Sequence, residues 1–173
     1  MASKGMMLAL TLLAAAATLP AGETMPPLKG EFLTGRTANL PEAAQGKVAL
    51  LALGFSYDSR TAVEEYVKRF RKDFGSDPRV TFFEVPMIGG MARMGKWFID
   101  SGMRKGTPTT DHEHVITVYG GVDRWKKSLG VTDTRKAYLI LLDAKGVVRM
   151  VQGGMFDEAA YAETARKTRE LLQ

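Results

Sequence analysis

The order of predicted elements indicates an α/β fold with a mixed central sheet flanked by helices. Residues 48–53 form a continuous apolar run, typical of a strand covered on both faces. An amphipathic helical pattern at 61–74 and a second strand at 79–85 follow, and this order is typical of a parallel crossover. The tight turn at 143–146 lies between two apolar runs and predicts an antiparallel hairpin, so the sheet should be mixed.

The remaining elements follow from apolar periodicity and from residues that begin or end helices. The further strands are expected at 32–40 (a strand or hairpin), 115–119, 138–142 and 147–151. The helix at 61–74 should open with a capping box formed by Thr61 and Glu64. Asp123 should cap a short helix, and Asp157 should cap the terminal helix.

The N-terminal residues differ in composition from the rest of the chain. Lys4 precedes an apolar run rich in Leu and Ala that ends in small residues, and this pattern predicts a signal peptide at 1–21 or an N-terminal anchor. The Gly- and Pro-containing segment 22–31 is expected to be a flexible linker, which leaves one domain at 32–173. The predicted location is periplasmic or otherwise exported, with a membrane tether in the anchor alternative.

The chain contains no cysteine among its 173 residues. Disulfides, thiol–disulfide exchange and a peroxidatic thiol are therefore excluded, and packing alone must stabilise the fold. The net charge is +5, but no basic run with interleaved aromatic residues indicates nucleic-acid binding. We expect no cofactor and no nucleic-acid partner.

Several stretches together resemble the thioredoxin-like superfamily over residues 30–173. They are the Gly-Lys-Val opening of the run at 46–53, the Gly-Val pair at 130–131, and the apolar strand with its Asp-x-x-Gly-x-Val ending at 138–148. The cysteine-free segment 118–131 is similar to the mitochondrial ATP synthase assembly-factor branch and its bacterial relatives. The resemblance implies a thioredoxin-like fold, to which this chain adds a Met-rich helical insertion, and it implies a membrane-complex subunit as partner.

The resemblance also locates a lost redox site. Redox members of the superfamily carry two cysteines where the first central strand runs into its helix, and Asp58 and Thr61 occupy those positions here. They also carry a proline before the fourth strand, whereas residues 135–137 are Arg, Lys and Ala. The resemblance therefore implies that thiol chemistry has been lost from this junction.

The polar residues at the junction allow two interpretations. Asp58, Ser59 or Thr61 can cap the following helix. Alternatively, Ser59 together with Arg135 and Lys136 can form a face for a small anionic ligand at the helix N-terminus, with a cation beside Asp58.

Two other segments carry candidate functional residues. On an extended backbone, His112 and His114 would point the same way and could bind a divalent transition metal, although no third ligand is recognisable. The insertion at 87–106 is predicted to be helical and either packs into the core or forms a partner-docking or membrane-surface helix. Its large apolar residues are Met91, Met94, Trp97, Phe98 and Met103.

These observations predict an exported, non-redox binding or assembly-assisting protein that acts through contacts with a protein or a membrane surface. No catalytic residue is assigned. The alternatives are a metal-assisted enzyme using His112 and His114, and a carrier of a small anionic ligand.

Overall fold

The computed structural model describes residues 19–173, and within them it has seven strands and four α-helices. The strands are β1 (Leu28–Phe32), β2 (Thr37–Leu40), β3 (Val48–Gly54), β4 (Val80–Pro86), β5 (Ile116–Thr117), β6 (Ala137–Leu142) and β7 (Val148–Gly154). The helices are α1 (Arg60–Phe74), α2 (Lys96–Gly106), α3 (Val122–Ser128) and α4 (Glu158–Leu171). None of these helices is both long enough and apolar enough to cross a bilayer.

The main sheet has the strand order β4-β3-β6-β7, with β3 parallel to β4 and antiparallel to β6. A smaller antiparallel sheet has the order β2-β1-β5. Single parallel bridges from Val115 to Glu84 and from Val118 to Met87 join the two sheets. The strand expected at 115–119 therefore has only two residues in a regular ladder. The mixed sheet predicted from the sequence is confirmed.

The two central strands of the main sheet, β3 and β6, are buried on both faces, as the apolar run of β3 predicts. Leu50 and Ala52 face α1 and α4, where they pack among Tyr66, Phe70 and Tyr161. The intervening residues of β3 belong to the opposite core, which also contains Trp125 of α3. Alternation along one strand thus supplies both cores, because successive side chains point to opposite faces.

The linker prediction for 22–31 is wrong. Met25 is almost completely buried, Thr24 forms a bridge with Val147, and β1 already begins at Leu28. Apolar side chains at Met25 and Leu28 stabilise this segment against the core, an effect that its Gly and Pro content does not reveal. The predicted signal or anchor at 1–21 lies outside the described residues except for its last three.

Two of the three predicted helix caps differ in the structure. Helix α1 begins at Arg60 rather than at Thr61, and the Glu64 carboxylate accepts a hydrogen bond from Arg60 instead of closing a capping box. Helix α3 has Gly121 at its N-cap, in the left-handed region at φ 68°, rather than Asp123. The Asp157 cap is confirmed, since its carboxylate accepts from the backbone N–H groups of residues 159 and 160.

Candidate functional site

The segments that leave one edge of the main sheet form the candidate site. Gly54 at the end of β3 pairs with Pro86 at the end of β4 and with Ala137 at the start of β6, and Ala137 pairs with Gly154 at the end of β7. The junction after β3, the insertion after β4 and the turn after β7 therefore all begin at this edge. In open α/β sheets, ligands usually bind outside the carboxyl ends of the strands.

These segments also carry every large apolar side chain that is strongly exposed in residues 19–173. Tyr57 follows β3 and is 83% exposed, and Met155 follows β7 and is 53% exposed. We define the junction surface as Tyr57, Asp58 and Met155. Four more residues follow β4 and are 77–82% exposed; we call them the α2 patch (Met91, Met94, Trp97 and Phe98). Core packing, one of the two interpretations of the insertion, therefore does not apply to these four residues.

Helix α2 buries a carboxylate and exposes its aromatic residues. Asp100 is only 3% exposed and accepts hydrogen bonds from Lys96 Nζ at 2.7 Å and Tyr119 Oη at 2.6 Å. Lys96 also pairs with Glu31 of β1 at 2.7 Å. These contacts raise the pKa of Lys96, because both carboxylates favour its charged form. This network fixes which side of α2 faces the protein, so Trp97 and Phe98 are held facing solvent.

The C-terminal half of α2 is attached in a similar way. Arg104 Nε donates to the carbonyl oxygen of Leu33 at 2.7 Å, and Met103 is half-buried. Met103, predicted as a member of the partner helix, therefore lies outside the exposed patch. Polar contacts rather than apolar packing orient this helix.

The junction after β3 has a hydrogen-bonded backbone that leaves little room for a ligand at Ser59. Ser59 is 1% exposed and its hydroxyl donates to the Ser56 carbonyl at 2.7 Å. The Ser56 hydroxyl donates to the Thr134 carbonyl at 2.7 Å, which links the junction to the loop before β6. Asp58 and Thr61, at the former redox positions, are exposed.

Of the two cations predicted beside this junction, Arg135 is paired with another residue and Lys136 is half-buried. Arg135 pairs with Asp133 at 3.0 Å and not with Asp58. This guanidinium lowers the pKa of Asp133 to about 2, since it stabilises the carboxylate form. Lys136 is half-buried. The loops do meet, as expected, but the predicted anion face of Ser59, Arg135 and Lys136 lacks an accessible Ser59 hydroxyl.

The two histidines do not lie on the extended backbone that the metal prediction assumes. Residues 109–114 form a 3₁₀ helix rather than extended backbone, so the premise of the metal prediction is wrong. His112 Nε2 donates to the Thr107 carbonyl at 3.0 Å, and His114 Nδ1 donates to the Phe82 carbonyl at 3.0 Å. A carbonyl oxygen can only accept, so each of these two nitrogens carries a proton, which leaves the other ring nitrogen of each histidine as the metal-binding atom. Within residues 19–173, no group of three potential ligands surrounds a common point.

The structure reveals a second polar feature that sequence reasoning missed. Glu84 of β4 is half-buried beneath α1 and lines a cavity of about 130 Å³. No donor among the described residues hydrogen-bonds to its carboxylate, because Arg60 pairs with Glu64 and Arg71 pairs with Asp111. Burial raises the pKa of Glu84 to about 7. The sequence contained the signal, because Glu84 falls on the same face of β4 as the apolar residues Val80 and Phe82.

Solved structures of redox proteins have the same fold. A protein described as thiol:disulfide interchange protein DsbE from Chlorobium tepidum is 16% identical, with a TM-score of 0.61 over 90% of this chain and 100% of that chain. The thioredoxin domain of a thiol-disulfide oxidoreductase from Bacteroides vulgatus is 18% identical, with a TM-score of 0.56 over 86% and 98%. A peroxiredoxin-like protein from Aquifex aeolicus is 17% identical, with a TM-score of 0.56 over 89% of this chain and 88% of that chain. These likenesses show the thioredoxin-like fold.

A family model, in contrast, matches almost the whole described domain. The model described as ATP10 protein matches residues 21–171. No curated protein sequence gives a significant match. The predicted relation to the thioredoxin-like superfamily and to the ATP synthase assembly-factor branch is thereby confirmed. With a thioredoxin-like fold, no cysteine and a match over nearly its full length, this chain belongs to the ATP10 protein family.

Proposed function

We propose that this protein is an exported, non-redox assembly factor that holds a subunit of ATP synthase against its junction surface. Membership of the ATP10 family and the cysteine-free thioredoxin-like fold support a non-redox assembly role. The pattern of a signal peptide or anchor at 1–21 supports export. The observation that carries the choice of surface is the exposure of Tyr57 and Met155 at the edge that bears the lost redox positions.

The junction surface has the physical properties of a protein-binding site. Tyrosine is enriched among residues that dominate binding energy, because its ring buries a large area and its hydroxyl keeps a polar contact. Tyr57 projects from a backbone fixed by the Ser56–Thr134 and Ser59–Ser56 hydrogen bonds. A fixed backbone lowers the entropy lost on binding. Asp58 adds an exposed carboxylate that can pair with a cation of the subunit.

Site-specific cross-linking in cells that produce this chain tests the proposal. A photo-crosslinking phenylalanine analogue replaces Tyr57, and products are identified by mass spectrometry. The matched control carries the analogue at Lys145, an exposed position in the turn between β6 and β7 at the opposite edge of the same sheet. We expect ATP synthase subunits to be cross-linked from position 57 and not from position 145.

A substitution measures the contribution of the same side chain. Tyr57→Ala should weaken binding of the cross-linked subunit roughly tenfold or more, as expected for an aromatic anchor, and Lys145→Ala should leave binding unchanged. The folded fraction should be the same for both variants because both positions are exposed. Equal cross-linking from the two edges, or products without any ATP synthase subunit, would contradict the proposal.

A further inference from the structure

We propose that the α2 patch binds the surface of an anionic lipid bilayer, with Trp97 and Phe98 inserted at the boundary between headgroups and acyl chains. This inference goes beyond the proposed function, because it concerns a different surface and does not depend on which subunit is bound. It assigns lipid, rather than polypeptide, as the occupant of the four exposed residues.

The residue types of the patch suit a membrane interface. Trp97 and Phe98 are 78% and 77% exposed, and Met91 and Met94 extend the apolar surface onto the preceding 3₁₀ helix at Gly90–Gly95. Amphipathic segments that lie on bilayers combine such aromatic and flexible apolar side chains with flanking cations. The Asp100 network keeps the aromatic residues outward in water, so the surface is formed before it meets lipid.

The charges around the patch are complementary to anionic lipid. In residues 89–106 the acidic side chain is Asp100, which is buried and paired with Lys96. Arg93 and Lys105 are exposed and form no ion pair with any residue in the described part of the chain. Each cation near an anionic surface contributes about 1 kcal/mol to binding. Two copies of this cationic segment would repel each other, which argues against a second copy of the chain as the occupant.

The point where the chain enters the described domain supports the same orientation. The backbone N–H of Leu19 donates to the carbonyl of Ser128 at the end of α3, and eighteen residues that include the apolar run precede it. At the other end of α3, Val122 packs against Gly89, where the patch-bearing segment begins. The seven residues of α3 span roughly 10 Å. A membrane tether before Leu19 would therefore keep the patch within reach of the same bilayer.

The fluorescence of Trp97 provides a local test in the full chain. The second tryptophan, Trp125, is 4% exposed and lies in the core, so lipid should not reach it. Vesicles of phosphatidylcholine and phosphatidylglycerol with brominated acyl chains are added to the wild-type protein and to Trp97→Phe. Phenylalanine keeps an aromatic ring at position 97 but removes the fluorescent reporter, so quenching that is present in the wild-type protein and absent from Trp97→Phe comes from Trp97.

We expect bromolipids to quench the tryptophan fluorescence of the wild-type protein and not that of Trp97→Phe. We also expect this quenching to fall when salt is raised to 1 M, because the electrostatic screening length is then about 3 Å. Arg93→Glu with Lys105→Glu should weaken the Trp97 signal about tenfold or more, even if the N-terminal residues keep the protein on the vesicle. Equal quenching in the two proteins would overturn the proposal. Equal quenching with phosphatidylcholine alone would overturn the assignment of anionic lipid.

A blue shift of Trp97 emission that appears without vesicles as protein concentration rises would also overturn the proposal, since a second copy would then cover the patch. Failure here is distinguishable from failure of the proposed function. Cross-linking from position 57 reports the junction surface and the subunit, whereas bromolipid quenching reports only the surroundings of Trp97.

Discussion

Helix α1 packs on the main sheet and helix α2 is attached to β1 of the smaller sheet, and the two helices bury opposite kinds of side chain. Helix α1 packs Tyr66 and Phe70 into the core and presents its charged residues to solvent. Helix α2 buries Asp100 and presents Trp97 and Phe98 to solvent. The first helix is held by the hydrophobic effect, whereas the second is held by hydrogen bonds to a buried carboxylate. The comparison shows that an apolar helix face need not be the buried one when a polar network determines the orientation.

The hydrogen-bond donors around two carboxylates, one at each helix, also differ. Asp100 of α2 accepts from Lys96 and Tyr119, and burial together with the Asp100 carboxylate raises the pKa of Tyr119, whose neutral form donates the hydrogen bond. Glu84 beneath α1 has no such donor, and burial raises its pKa to about 7. Satisfied polar groups stabilise a fold modestly, whereas a charge that is partly removed from water without a donor destabilises it. The two carboxylates should therefore respond in opposite ways to removal.

The largest expected effect contrasts the same substitution in the two helices. Phe70→Ala should lower the free energy of unfolding by about 3–5 kcal/mol, because it removes a fully buried ring and leaves a cavity. Phe98→Ala should change it by less than about 0.5 kcal/mol, since the ring is already in water. Urea unfolding of both variants measures the difference. Similar losses for the two would show that Phe98 is packed and would remove the contrast.

The next largest effect concerns the pH dependence caused by Glu84. The folded-state pKa of about 7 lies above the ordinary value of 4.5, so the folded protein binds this proton more tightly than the unfolded chain. The stabilisation is therefore complete below pH 4.5 and is lost as the pH rises to about 7. Glu84→Gln removes the titration, and wild type should lose about 3 kcal/mol relative to this variant between pH 4 and pH 8.

Unfolding titrations of both proteins at a series of pH values test the Glu84 prediction. Glu65→Gln is the control, because Glu65 is an exposed carboxylate of α1 that lies outside this cleft. A stability difference between wild type and Glu84→Gln that stays constant with pH would show that Glu84 titrates normally.

The smallest effect tests the polar network beneath α2. Asp100→Ala leaves the Tyr119 hydroxyl without its carboxylate acceptor, removes one of the two carboxylates that Lys96 contacts, and should lower the free energy of unfolding by about 2 kcal/mol. Amide hydrogen exchange should accelerate most in α2, because its orientation depends on these bonds. Asp123→Ala, at an exposed position in α3, should alter stability by less than about 0.5 kcal/mol. Unchanged exchange in α2 would mean that other contacts orient the helix.

Much of the fold could be predicted from local sequence signals. The apolar run at 48–53, the amphipathic helix ending at Phe74 and the hairpin turn at 143–146 each correspond to an observed element. Helix starts were less predictable, since Thr61 and Asp123 have suitable side chains but the backbone turns at Ser59 and Gly121 instead. A cap depends on the local path of the chain, and several neighbouring residues can satisfy the same composition.

The sequence by itself determined the absence of thiol chemistry and the alternation that makes β3 a central strand, because both depend on residue identity and local order alone. Only the tertiary structure decided that Trp97 and Phe98 face solvent, that Ser59 is inaccessible, and that Glu84 lacks a partner. These outcomes depend on groups distant in the chain: Tyr119 and Glu31 for α2, and Thr134 for the junction. Burial is a property of the packed assembly, so periodicity marks an apolar face without saying what covers it.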